Sequence, residues 1–433
     1  MTTRCRRRCV GSVVLVVSNH PFVPLRHRAV RLLWGAAVIS DIGTWVQLIV
    51  VGSLVAAGTG SAVQTGLVAL ATFAPQGIAS PVGGLLADRY DRRKVFAAAL
   101  VAQATVTTAL AITLGLGVRT PWVLTLLILV GSAAGATGAP SYAAMQPDLV
   151  PADELMQMVS LGVYSWNSGR VIGPVLGSAM VLAVGPAWTI GFNAFSFVVM
   201  AAAVSLVRRP FRPHGAVGTV KERLLAGARA MRSTPGCWHA LVMLALFNTT
   251  VVPFMGLIPI YVQGTFDGGT GMVGIVASAQ GIGAIVGGIL VTMLAARYGR
   301  STIVAWLAIV VSVALASYAV SPNLAWVIAV AMVLGGGWSS MFIALSAVIQ
   351  RDAPPASRGR VMSLMQATLG VSYGSGLLFI GILGDSFSMR VAFGAGAVIG
   401  LVGFWLFTLR ARNWRRALDG AEVPARPREL ATC

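Results

Sequence analysis

Gly83-Gly84-Leu85-Leu86-Ala87-Asp88-Arg89-Tyr90-Asp91-Arg92-Arg93-Lys94 sets six charged side chains between two long apolar runs. An ionised side chain inside a bilayer costs at least about 2.5 kcal/mol, so the cluster marks a point where an apolar chain leaves the membrane. The rest of the chain agrees: of 433 residues 56% are hydrophobic and only 10% charged, against about 25% charged in soluble domains. With charge clusters as punctuation and roughly 20 apolar residues per crossing, the sequence predicts about twelve spans. They fall near 31 to 56, 63 to 87, 95 to 116, 121 to 145, 156 to 182, 187 to 207, 238 to 263, 272 to 296, 302 to 320, 324 to 348, 361 to 383 and 391 to 409.

The formal charge of +19 invites a nucleic-acid reading, which the distribution of charge rejects. Of the 32 Lys and Arg residues, only Arg119, Arg170 and Arg390 fall outside the tails and the loops on the side of the N-terminus. This bias predicts cytoplasmic termini and a multi-pass protein of the cell (inner or plasma) membrane. No soluble segment is long enough to build a duplex-binding face, and anionic lipid headgroups are the expected partners of the basic tails. Arg4 to Arg8 followed by Val10 to Val17 has the outline of a leader, but the apolar part is short and lacks a clear cleavage site, so the expectation is a cytoplasmic tail or a start codon assigned too far upstream. Cys5, Cys9, Cys237 and Cys433 lie where thiols stay reduced, and no spacing suggests a metal.

The chain repeats itself. Arg89-Tyr90-Asp91-Arg92 is echoed by Arg297-Tyr298-Gly299-Arg300, and Gln146-Pro147-Asp148-Leu149-Val150-Pro151-Ala152 by Gln350-Arg351-Asp352-Ala353-Pro354-Pro355-Ala356, at nearly the same spacing. Two echoes at one spacing indicate a duplicated six-helix unit. The expected organisation is a tail over 1–30, a bundle over 31–207, a basic linker over 208–236 containing a surface helix over 219–232, a second bundle over 237–409 and a tail over 410–433.

The opening stretch resembles the cytoplasmic signature loop of the major facilitator superfamily, with Gly84, Asp88, Arg89, Arg92, Arg93 and Lys94 in the motif positions. Asp91 stands where the general pattern has glycine, a variant similar to that of bacterial siderophore and macrolide exporters. The resemblance implies an all-α integral membrane fold of twelve helices in two bundles. It also implies that Asp88 accepts hydrogen bonds from the start of the eleventh span near Arg360 to Ser363, and that Arg92 pairs with Asp148. Gly83 and Gly84 are suited to close helix contact. In the second copy Ala296 replaces the acid. Asn167-Ser168-Gly169-Arg170-Val171-Ile172-Gly173-Pro174-Val175-Leu176-Gly177 resembles the antiporter signature of exporters in the superfamily. Its residues Gly169, Gly173 and Gly177 fall on one helix face, and Pro174 loosens the helix.

Charges within the spans are functional candidates by default, and they are Asp41 and Arg170. Asp41 is a candidate proton carrier, with a structural hydrogen bond or a counter-ion role to Arg170 as the rival. The resemblance places the substrate among the first, fourth, seventh and tenth spans, nominating Trp45, Gln47, Phe247, Asn248, Phe254, Trp338, Ser339 and Met341, although aromatics at such spacing equally serve packing. An enzyme is not expected, because His20, His27, His214 and His239 sit outside the span interiors and no phosphate-binding loop occurs. The expectation is a monomeric secondary transporter without cofactor, exporting small lipophilic molecules against protons. The alternatives are an importer or uniporter of a small metabolite, and a non-transporting membrane sensor.

Overall fold

The computed structural model describes residues 21–207, 220–295, 297–354 and 357–420. Most of the N-terminal tail, residues 208–219 of the linker and the tail beyond 420 lie outside the described residues. The chain is nearly all helix: α1 (Arg28–Thr59), α2 (Ala62–Arg89), α3 (Arg92–Gly115), α4 (Pro121–Leu149), α5 (Leu155–Leu206), α6 (Val220–Ser233), α7 (Pro235–Thr250), α8 (Ile258–Phe266), α9 (Thr270–Ala295), α10 (Arg300–Ala319), α11 (Leu324–Asp352), α12 (Arg358–Ser386), α13 (Met389–Arg410) and α14 (Trp414–Asp419). Nine helices among the described residues are long and apolar enough to cross a membrane. Exposed apolar residues such as Leu126, Leu182, Phe195, Ile289, Val398 and Trp405 cover their outer faces. Exposed Trp122, Trp188 and Trp326 stand near the loop ends that face away from the chain termini, in the manner of an interfacial aromatic belt.

Short polar residues set the helix starts. Ser61, Asn323 and Ser388 accept from the backbone N–H of Gln64, Trp326 and Val391 at 3.2, 3.0 and 3.3 Å, satisfying donors that a helix leaves free. Gly60, at φ 63°, ends α1 in the left-handed region.

Two expected spans join in one element. At 52 residues, α5 would be roughly 78 Å long if straight, more than twice the hydrocarbon core. It breaks at Gly185, whose φ of 82° and ψ of 169° are open only to glycine. Gly173 and Gly177 on the first arm face Trp45 and Val46, while Asn193 and Ser196 on the second lie against Gly43. Both arms therefore lie against the same stretch of α1, and α5 is a hairpin. The seventh run, expected to be continuous over 238–263, is instead α7, a 3-10 turn (Val252–Met255) and α8. Pro253 and Pro259 withhold the N–H groups a continuous helix needs.

Similar helix contacts recur in two parts of the chain. Gly83 of α2 meets the backbone of Thr137 in α4, as Gly283 and Gly287 of α9 meet Met332 and Gly336 in α11. Two seams join the halves. Along α2 and α12 the contacts run antiparallel from Gly381 against Ala62 and Val63, through Gly374 against Leu70, to Gly77 against Ala367. Along α5 and α9, Gly274 lies against Pro174 and Ser178, and Gly281 against Arg170. These α5–α9 contacts lie between mid-depth and the end far from the termini.

Candidate functional site

At the end nearer the termini, the signature loop is an ordered turn. Asp91 caps α3 by accepting from the N–H groups of Arg93 and Lys94 at 2.8 and 3.3 Å, which gives the departure from glycine a local reason. Buried Arg92 donates through Nη1 to the Ala144 carbonyl at 3.0 Å and lies 3.5 Å from Asp148 Oδ2. Arg93 donates to the Val207 carbonyl at 2.8 Å, tying the loop to the end of α5. Of the two glycines, Gly83 makes the close approach to α4 and Gly84 faces open space. Asp88 sits partly buried in the last turn of α2, and Arg89 is exposed. The same end carries a site that sequence reasoning passed over: buried Glu154 accepts from Arg26 and lies 3.0 Å from His27 Nε2.

At mid-depth, the glycine face of α5 lies on α1. A Cβ on Gly169 would stand 2.7 Å from the carbonyl carbon of Asp41, and one on Gly173 2.6 Å from Trp45 Cβ. The opposite side of this arm meets α9, where Ser178 donates to the Thr270 carbonyl at 2.9 Å and Ser278 to the Val171 carbonyl at 2.6 Å. The two intramembrane charges are held apart. Asp41 accepts a bond from Ser165, whereas Arg170 donates through Nε to Gln280 Oε1 at 3.1 Å and lies over the Trp45 ring, 5.9 Å from its centroid. No Asp41–Arg170 ion pair forms among the described residues.

Phe247, Phe254 and Met341 are fully buried in the second half, and Trp45 is almost so. Asn248 donates to the Leu369 carbonyl at 2.6 Å and to Ser372 Oγ at 2.9 Å. Gln47 accepts from Asn193 at 2.8 Å, and half-buried Trp338 lies against Phe342. These residues act as packing in this conformation. A cavity of about 300 Å³ with polar groups in its lining lies within the first half, bounded by Asp41, Phe73, Gln76, Gln103, Tyr142 and Trp166 among others. Glutamines inside apolar runs were the available sequence signal. A second hollow of about 650 Å³, between α9, α10 and α11, has an almost wholly apolar lining with exposed Trp306 on it.

The far end holds a clamp that reads in sequence as a loop charge. Asp385, at the end of α12, accepts from Ser61 Oγ at 2.7 Å and from the N–H groups of Ala62 and Val63 at 2.5 and 3.2 Å. One carboxylate thus occupies the free donors at the start of α2 and joins the two halves.

Residues 19–428 match the family described as transmembrane secretion effector. The chain belongs to this family of the major facilitator superfamily. Macrolide efflux protein A of Streptococcus pyogenes is 21% identical over 361 residues, covering 82% of this chain and 88% of that one. The enterobactin exporter EntS of Escherichia coli is 26% identical over 402 residues, 90% and 94% of the two chains. Among solved structures, a bacterial homologue of the human lysosomal transporter Spinster superposes with a TM-score of 0.71 at 15% identity, covering 92% of this chain and 99% of that one. A D-xylose–proton symporter gives 0.70 at 15% identity, with 91% and 99% covered. The secretion-effector chain therefore has the fold of a major facilitator transporter and is a multi-pass protein of the cell inner membrane.

Proposed function

We propose that this secretion effector exports small lipophilic molecules in exchange for protons, by alternating access of one site to the two sides of the membrane. In this reading the chain crosses twelve times, with α5 crossing twice and α7 and α8 sharing one crossing. Both termini lie in the cytoplasm, so the far end is the outer end. The observation that carries the proposal is the seam between the halves: Asp385 and the α5–α9 contacts hold the outer end closed, while the Asp41 cavity sits at mid-depth. The exporters among the relatives support the direction of transport.

The reading gives the two ends of the α2–α12 pair reciprocal roles. When the inner end closes, Asp88 accepts from the first N–H groups of α12, as Asp385 accepts at the start of α2 when the outer end closes. Arg92 and Asp148 hold the signature loop in place for that contact. Asp41 is the residue to which the reading assigns the proton. The test is flux in proteoliposomes under an imposed proton gradient, with lipophilic dyes, macrolides and siderophores as cargo and a pH probe inside. Gradient-driven cargo movement with opposing proton movement is the expected result. A folded, oriented protein that moves none of them overturns it.

A further inference from the structure

The cavity inside the first half is polar on one side and aromatic on another, and it holds one charge. Among the described residues its lining comes from α1 to α5, and Asp41 is the one charged side chain in it. Arg170, the other intramembrane charge, does not neutralise that carboxylate. It lies five residues beyond Ser165 on α5, about 140° round the helix, and is engaged across the seam by Gln280. Among the described residues the Ser165 hydroxyl is the donor seated on Asp41. The aromatic side is built from Trp166, 5.5 Å from Trp45, and Phe73, 6.2 Å from Trp45, with Tyr142 stacked on Phe96 at 5.0 Å. Phe73, Tyr142 and Trp166 are only partly buried, so ring surface remains open to the cavity. Gly135 keeps a slot beside this wall, since a Cβ there would lie 2.5 Å from the Gln103 amide nitrogen.

We infer that this cavity is a cargo subsite lying wholly within the first bundle, and that it takes the protonated amine of an aromatic molecule. Deprotonated Asp41 is the counter-ion, and the rings of Phe73 and Trp166 face the cation. A carboxylate at mid-depth is costly without a counter-charge, and aromatic faces add attraction for a desolvated cation. Gln103, Gln76 and Tyr142 supply hydrogen-bonding groups for orientation. About 300 Å³ is at the lower end of ligand pockets, which suits a small bicyclic amine or the amine-bearing head of a larger cargo. The inference rests on the transporter reading for its physiological use.

The test is calorimetric titration of the full chain in nanodiscs with 1-naphthylmethylamine, 1-naphthylmethanol and 1-naphthoate, subtracting partition into empty discs. The amine is expected to bind at least about tenfold more tightly than the alcohol, a preference worth about 1.4 kcal/mol, and naphthoate more weakly than either. Asp41→Asn removes the preference and leaves alcohol affinity within about twofold, Asp41→Glu retains it, and Gly135→Leu excludes all three probes. If Asp41 served only to pin α1 to α5 through Ser165, Asp41→Asn would lower thermal stability and leave the affinity ratio unchanged. Equal binding of amine and alcohol to the wild type, or an amine preference that survives Asp41→Asn, overturns the inference. Should Asp41→Asn not fold, the wild-type charge series and Gly135→Leu decide. Flux of a neutral dye is read separately: dye flux without charge-selective binding removes this inference alone, and charge-selective binding without any flux removes the transporter reading.

Discussion

The two copies of the signature turn solve one problem with residues from different places. In the first, Asp91 caps its own helix, accepting from Arg93 and Lys94. In the second, Gly299 occupies that position, and the cap comes from α14: Asp419 accepts from the Ser301 N–H at 2.9 Å and from Ser301 Oγ at 2.6 Å. The following arginines diverge too. Arg92 lies 3.5 Å from Asp148, whereas Asp352, the counterpart of Asp148, accepts from its neighbour Arg351 at 2.5 and 3.0 Å. The first turn is thus tied into its own bundle, to α4 and the end of α5. The second depends on the C-terminal helix. The two turns thus differ in what anchors them, which fits the proposed gate carried by the first turn alone.

Five substitutions probe that asymmetry, in descending order of expected effect apart from one rescue. Asp88→Asn removes the charge that the proposed inner clamp uses, and proteoliposome flux should fall at least about tenfold with expression unchanged; normal flux would leave the first turn no more special than the second. Asp385→Ala removes three hydrogen bonds at the outer end, and spin labels at Thr120 and Ala325 should show the separated population grow roughly tenfold. Asp419→Ala strips the borrowed cap from α10 at about 1 kcal/mol, and hydrogen exchange at the Ser301 amide should quicken about fivefold. Adding Gly299→Asp in that background should restore slow exchange by giving the second turn the first turn's own acid. Asp91→Ala should have the smallest effect, about threefold faster exchange at Arg93, because Arg92 and Arg93 still anchor the loop.

Much of this was legible in the amino-acid sequence because a bilayer penalises charge so strongly. The apolar runs and the turn at 88–94 follow from that penalty, and the glycine face at 169, 173 and 177 follows from helix periodicity. The break after Val251 was masked by hydropathy, since Val251 to Ile260 is apolar throughout apart from its prolines and glycine, and only Pro253 and Pro259 signalled it. Asp385 looked like a loop charge because its partner donors are backbone N–H groups, which no residue code displays. The hollow around Asp41 is hidden from the sequence for a related reason. Phe247, Phe254 and Met341 are alike as packing or lining residues until neighbours are known, whereas Gln76, Gln103 and Tyr142 meet only once five helices have assembled.

The most direct test of the central claim is a pair of inter-half distances followed together, with native cysteines replaced. Spin labels at Thr120 and Ala325 report the far end, and labels at Met156 and Gln350 the end near the termini, as pH is moved from mildly alkaline to mildly acidic. Alternating access coupled to protons predicts that one distance lengthens as the other shortens, with Asp88→Asn uncoupling the two. Distances that stay fixed, or that change in the same sense, would contradict it.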